Sequence, residues 1–285
     1  MKRSAVFTID AEDWFHILDT PATPVFSEWS QLEIRLEDNL EQLLGILGRH
    51  RTPATIFWLG WAAEQHPGLV RRCRDAGHEI ACHGYAHLLA YSAGREAFRR
   101  DIRKSKAVLE DITGQEITGF RAAGFGIKKE TQWAFEEIRE AGFVYDSSIF
   151  PCHRSHGGIG GAELAPHLIE TTFGPLVEFP QSIITVIGKR IHLFGGGYLR
   201  LAPGWLLRWG VERLYQQGRP LIVYVHPRDI DVDQPRLPLS RFRRFKSYCN
   251  LKTTSGKLAW LCRTQLFQTM EKLAEALLTE NPDIS

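Results

Sequence analysis

The chain has 285 residues, is 44% hydrophobic and 24% charged, and carries a formal net charge of +2 at neutral pH. That is enough chain for a sizeable α/β core, and too little positive charge to argue for nucleic acid as a partner. Five cysteines (Cys73, Cys82, Cys152, Cys249 and Cys262) are scattered with no CxxC pair, so neither a disulfide framework nor a cysteine zinc site is indicated and reduced structural thiols are expected.

Lys2 and Arg3 are followed by Ala5-Val6-Phe7-Thr8-Ile9 and then at once by acids, which is not the pattern of a secretory signal. No apolar stretch approaches the length of a bilayer span. The expectation is a cytoplasmic protein, with the inner face of the membrane as its one alternative location.

Short β-like runs alternate with longer helical ones, the pattern of strands joined by crossover helices. Ala5–Asp10 reads as a buried strand and Leu36–His50 as a helix with leucines at helical spacing. Ala54–Leu59 is a second strand, Leu69–Ala76 a helix stopped by Gly77, and Glu79–Cys82 a third strand. Arg95–Ile112 presents Phe98, Ile102, Leu109 and Ile112 on one face. Strands at Ile117–Arg121, Phe143–Asp146 and Leu176–Phe179 follow, with a helix near Glu130–Ala141. A helix at Trp205–Gln217, an apolar strand at Leu221–Val225 and a closing helix from about Leu258 to Leu278 complete the chain. The reading is a single α/β domain with barrel-like architecture; a doubly wound open sheet is the competitor that periodicity alone does not separate from it.

Polar residues collect where these strands end, which is where α/β barrels build their sites. The first strand runs into Asp10-Ala11-Glu12-Asp13, the third into His83-Gly84-Tyr85-Ala86-His87, and the last into His226. Two histidines four apart can aim both imidazoles at one ion if the segment makes a helical turn. A carboxylate from another strand would complete a His-His-carboxylate set with open positions for water and substrate. Such a pair is weak evidence alone, and stronger when acids end another strand. A buried strand terminating in His226 suits a general acid, because imidazole titrates near neutral pH. Arg121 and Asp146, taken singly, fit a structural ion pair equally well.

In order, Thr8-Ile9-Asp10, His83-Gly84-Tyr85-Ala86-His87, Arg121-Ala122-Ala123-Gly124-Phe125, Tyr145-Asp146-Ser147-Ser148 and Val223-Tyr224-Val225-His226 resemble the five motifs of the NodB-type polysaccharide deacetylases. These are carbohydrate esterases with a distorted (β/α) barrel. Asp10-Ala11-Glu12-Asp13-Trp14-Phe15-His16, Ile149-Phe150-Pro151, Glu178-Phe179-Pro180 and Gly195-Gly196-Gly197-Tyr198 resemble the exosortase-associated branch found with bacterial exopolysaccharide genes. The resemblance runs from about Ser4 to Asn250. It implies one catalytic domain over 1–285, with a family-specific extension from about 228 to 285.

The resemblance also implies roles. Asp10 would be the general base, held by Arg121, and His226 the general acid, oriented by Asp146. His83 and His87 would bind one divalent ion, Zn²⁺ first, with Co²⁺, Ni²⁺ or Mn²⁺ as substitutes. Tyr145, Phe125 and Trp14 would wall the substrate groove. The family places its metal-binding Asp directly after the base, where this chain has Ala11, so the third ligand is Glu12 or Asp13 and the sequence does not choose. A Pro usual after the motif arginine is replaced by Ala123.

The implied reaction is metal-assisted removal of acetyl groups from an N-acetylhexosamine-containing polysaccharide or its lipid-linked precursor. Two rivals are hydrolysis of a non-sugar amide or cyclic imide on the same fold, and a non-catalytic glycan-binding protein. The tract 236–246 interleaves Arg236, Arg241, Arg243, Arg244 and Lys246 with Leu237, Leu239, Phe242 and Phe245. It reads as a solvated basic face, with peripheral contact to an anionic membrane as the alternative.

Overall fold

Alternating apolar runs and amphipathic helices become strands and crossovers in the computed structural model, which describes residues 3–18, 20–152 and 157–280. Its strands are β1 (Ala5–Ala11), β2 (Thr55–Trp58), β3 (Glu79–Cys82), β4 (Gly119–Phe120), β5 (Tyr145–Asp146), β6 (His167–Ile169), β7 (Leu176–Glu178), β8 (Ile183–Val186), β9 (Lys189–His192), β10 (Leu221–Val225) and β11 (Phe267–Gln268). The chain divides into two compact units, Met1–Ala54 with Ser182–Phe267, and Thr55–Gln181 with Gln268–Ser285.

In the first unit β1 and β10 run parallel, with Ala5 opposite Leu221 and Ile9 opposite Val225. Every residue of both strands is buried, which is why they read as unbroken apolar runs rather than alternating ones. Helix Leu36–Arg49 buries Leu36, Leu40, Leu43, Ile46 and Leu47 and packs on helix Leu251–Thr264. Its first turn is held by the Asp13 carboxylate, whose Oδ2 accepts the Arg35 and Leu36 amides at 2.8 and 3.0 Å. An acid at a helix start satisfies amides that have no partner within the helix.

In the second unit the strand order is β2-β3-β4-β5-β7-β6, parallel except for the antiparallel β6–β7 pair. Helix Arg95–Thr113 lies against helices Gly60–Gln65 and Trp133–Glu140, burying Phe98, Ile102 and Leu109. The periodic face read from the sequence is the buried one.

Two departures from the sequence reading have clear causes. The closing helix is two helices, Leu251–Thr264 and Met270–Glu280, interrupted by β11. Phe267 packs edge-on against Phe7 of β1 at 5.6 Å, and Thr55 Oγ1 accepts the Met270 amide at 2.8 Å to start the second helix. Tertiary contacts here override a helical periodicity that runs through the break. The β8–β9 hairpin, absent from the sequence reading, turns at Ile187 and Gly188, both with positive φ (45° and 72°). That backbone twist matches paired strands. No helix of the described residues is long and apolar enough to cross a membrane.

Candidate active site

The first unit places an acidic cluster where β1 ends. Asp10, Glu12 and Asp13 are all buried, with 2–4% of their surface exposed. The three acids differ in what they are bound to. Both Asp13 oxygens are occupied by backbone amides, Oδ1 by that of Trp14 at 2.7 Å and Oδ2 by those of Arg35 and Leu36. Asp10 and Glu12 instead group with His226, the three ligand atoms lying within 4.8 Å of one another. His226 Nε2 is 4.0 Å from Asp10 Oδ2 and 4.0 Å from Glu12 Oε1.

The opposite ring nitrogen of His226 faces a residue the sequence reading did not include. Asp229 Oδ2 stands 3.1 Å from His226 Nδ1 and accepts the His226 backbone amide at 2.9 Å. Asp229, three residues along the chain, is therefore placed to orient His226. The signal was present in the run His226-Pro227-Arg228-Asp229. A Pro at the first position of a turn, with an acid two residues on, is a helix-start pattern that folds the carboxylate back onto the turn's first residue.

The second unit holds the histidine pair. His83 and His87 are 1% and 5% exposed, and their ring centroids are 5.3 Å apart. The segment between them is a loop rather than the helical turn expected, with positive φ at Gly84 (77°) and His87 (54°). Asp101 of helix Arg95–Thr113 shapes it, accepting the Tyr85 and Ala86 amides at 2.7 and 2.9 Å. A Cβ at position 84 would lie 2.7 Å from that carboxylate, so glycine is required there. Burial pushes the Asp101 carboxyl up, against the lowering effect of these amides.

His83 Nδ1 lies 2.7 Å from the Arg121 carbonyl oxygen. A carbonyl only accepts, so Nδ1 carries the proton and Nε2 the lone pair. Fixing one ring nitrogen on a backbone carbonyl is how metal-binding histidines are usually oriented. The donor chemistry of this buried pair thus fits a divalent ion.

Arg121 is fully buried. Its guanidinium lies 4.1 Å over the Phe57 ring and donates to the Ser147 carbonyl and Oγ at 3.3 and 3.2 Å. Asp146 supports the same loop. Its Oδ1 accepts from Ser148 Oγ at 2.6 Å, and Ser148 Oγ in turn accepts the Ala122 amide at 2.7 Å. Burial raises the Asp146 carboxyl, and burial together with the Asp146 charge raises Glu178 well above the carboxylate range. These two acids share a buried site near Arg121, with the Ser148 hydroxyl on Asp146 and the Ser147 hydroxyl on Arg121.

The aromatic residues expected to wall a groove lie in the interior. Tyr145 is fully buried and its hydroxyl donates to Glu79, which opens β3 at the end opposite His83. It is packed in the interior of its unit. Its side chain leaves the sheet toward the N-terminal ends of the strands, where a β-strand tyrosine can find a buried acid. Trp14 is 9% exposed, with its indole N–H on the Glu33 carbonyl at 2.9 Å, and Phe125 is 4% exposed, 5.7 Å from the Phe150 ring.

Comparisons with known proteins follow the same lines. Residues 25–145 match the Polysaccharide deacetylase family, and residues 147–275 match a Domain of unknown function (DUF3473). A Peptidoglycan deacetylase of Helicobacter pylori is 29% identical over 113 residues, 40% of this chain and 38% of that protein. The chain thus spans well under half the length of that relative. Among solved structures, a putative polysaccharide deacetylase from Mycobacterium smegmatis superposes with a TM-score of 0.66 at 20% identity, covering 98% of this chain and 91% of that one. Puue Allantoinase superposes with a TM-score of 0.65 at 17% identity, also over 98% and 91%. The α/β fold expected from the sequence, that of the polysaccharide deacetylases, is the fold found. Family match and fold agree that a polysaccharide deacetylase domain of the NodB type is carried over residues 25–145.

Proposed function

We propose that this chain is a metal-dependent hydrolase that removes acetyl groups from an N-acetylhexosamine-containing glycan. The observation that carries the reading is the Asp10–Glu12–His226 group, in which two buried carboxylates stand within 4.0 Å of one imidazole nitrogen. A base and an acid on opposite sides of a reacting amide need this arrangement.

The ligands proposed for the metal are His83, His87 and Glu12. Glu12 is preferred over Asp13 because Asp13 already accepts three backbone amides, which it would have to release to bind an ion. When bound, a divalent ion (Zn²⁺ first, then Co²⁺, Ni²⁺ or Mn²⁺) supplies Lewis-acid polarisation of the acetyl carbonyl and of the attacking water. Asp10 accepts the proton of that water at a carboxylate oxygen. His226 Nε2 gives a proton to the departing amine as the C–N bond breaks, and acetate and a free amino sugar result. Asp229 keeps the His226 ring facing the reaction.

In this reading residues 1–285 act as one catalytic domain, the stretch from about 228 to 285 being its extension. The setting is bacterial exopolysaccharide or cell-envelope biosynthesis at the cytoplasmic side, supported by the branch motifs around Asp10, Ile149 and Gly195. The test is release of acetate from N-acetylglucosamine oligomers. Chelation should abolish it and Zn²⁺ restore it, and Asp10→Ala or His226→Ala should lose on the order of 10²–10⁴ in turnover. Release of ammonia or ring-opened product from a cyclic imide, with no acetate from the oligomers, would move the substrate to the non-sugar class. Full activity of Asp10→Ala would remove the base assignment.

A further inference from the structure

Asp229 is more than a hydrogen-bond partner of His226, because its second oxygen is also committed. Asp229 Oδ1 pairs with the Arg200 guanidinium, and both side chains are 2% exposed. Arg200 lies in helix Gly196–Leu201, which Gly195 precedes and which begins with Gly196 and Gly197. Its remaining donors are taken by the end of helix Arg241–Tyr248. Nε reaches the Cys249 carbonyl at 3.1 Å, and Nη2 the Lys246 and Ser247 carbonyls at 2.8 and 3.0 Å. Those carbonyls form the negative end of a helix, a favourable site for a buried cation.

The glycines make this approach sterically feasible. A Cβ at position 197 would fall 2.7 Å from the Lys246 carbonyl oxygen. From the other side, Lys257 Nζ donates to the Leu199, Arg200 and Ala202 carbonyls at 3.0, 2.6 and 2.8 Å, fixing the backbone that carries Arg200. The guanidinium has one orientation available to it, and that orientation presents Nη1 to Asp229.

We propose that Arg200 and Asp229 are the positioning pair of the catalytic His226, and that the region matched by the domain of unknown function supplies this pair. The inference rests on the general-acid reading of His226. Asp229 grips its histidine twice, at the backbone amide and at Nδ1, so the ring cannot turn without breaking a buried hydrogen bond. With Nδ1 held as a donor, Nε2 is the nitrogen left facing Asp10 and Glu12. Burial by itself would raise the Asp229 carboxyl. The Arg200 charge, joined by the His226 hydrogen bond, outweighs it and holds the carboxyl well below the usual range. An acceptor kept ionised in this way fixes the imidazole tautomer as well as its angle.

The test uses the Zn²⁺-loaded protein and two measurements. In Asp229→Asn, kcat for acetate release should fall on the order of 10²-fold or more while KM changes little. A far-downfield imidazole N–H proton resonance, assigned by its absence in His226→Gln, should be present in the wild type and lost in Asp229→Asn. Arg200→Lys keeps the charge without the planar fork and should lose less turnover than Asp229→Asn. Wild-type kcat in Asp229→Asn, a loss confined to KM, or a His226 resonance that persists would each overturn the proposal. Should a variant fail to fold, the wild-type spectrum still decides, since no downfield His226 proton means no such pair. Full turnover in His226→Gln would instead overturn the general-acid reading, with the spectrum still judging the hydrogen bond.

Discussion

Asp229 and Asp146 are the same residue type, each fully or almost fully buried just after a strand-end motif, and the two units put them in opposite protonation regimes. Asp229 faces Arg200 and is held ionised well below the carboxylate range, whereas Asp146 faces Glu178 and both acids of that pair are raised. Burial acts in the same direction on all three acids. The partner decides the outcome, because a buried charge is tolerable beside an opposite charge and not beside a like one. An ionised acid suits the task of holding an imidazole. A pair of raised, buried acids suits a scaffold, here the one that carries the Ser147 and Ser148 hydroxyls beside Arg121.

Removing the cation is the most severe way to break this contrast. Arg200→Met leaves Asp229 as an uncompensated buried charge and should cost about 3–5 kcal/mol of stability, read as a drop in the denaturation midpoint at pH 7. If the midpoint holds, the Arg200 pair is not what keeps Asp229 charged. Next in size is the activity comparison. Asp229→Asn should lose turnover on the order of 10²-fold, while Asp146→Asn should keep most of its turnover in the same acetate assay. Equal losses would mean that Asp146 also acts on the reaction.

The Glu178 pair gives a pH signature of the opposite sign to a salt bridge. Burial beside Asp146 raises the Glu178 carboxyl, so the folded protein keeps that proton at pH values where the unfolded chain, near 4.5, has released it. This contribution to stability is complete below about 4.5, and it is lost as pH rises through the folded value. Glu178→Gln supplies a permanent donor to Asp146 and should flatten that decline. Midpoints at acid and alkaline pH that fall as steeply in Glu178→Gln as in the wild type would argue against the raised Glu178 carboxyl. The smallest effect expected is for Tyr145→Phe, which loses the hydrogen bond to Glu79 and roughly 1 kcal/mol. Its KM should not change, since Tyr145 belongs to the core; a raised KM would return it to the groove.

The sequence exposed the site in part. Asp10, His83 and His226 stood out because each ends a strand-like run, and His87 and Arg121 because the five motifs come in a fixed order. Asp229, Arg200, Asp101 and Ser148 did not stand out. Each acts through a hydrogen bond to a group that only the folded chain brings near, as Asp101 does to the Tyr85 and Ala86 amides from 15–16 residues away. The bond from Tyr145 to Glu79 was hidden for a related reason. Period-two alternation tells which face of a strand a side chain occupies, but not toward which end of the sheet a long side chain leans.

What the sequence determined by itself is therefore the alternation of strands and helices, the candidate acid, base and ligands, and the family domain they belong to, since local periodicity and motif order carry that information. Tertiary structure decided the partners. It set which acid is tied up in backbone amides (Asp13), which is held low by a cation (Asp229), and which are pushed up by burial and a like neighbour (Asp146 with Glu178). Those properties depend on distances between residues far apart in the chain, and on the loss of water around them, neither of which a linear pattern encodes.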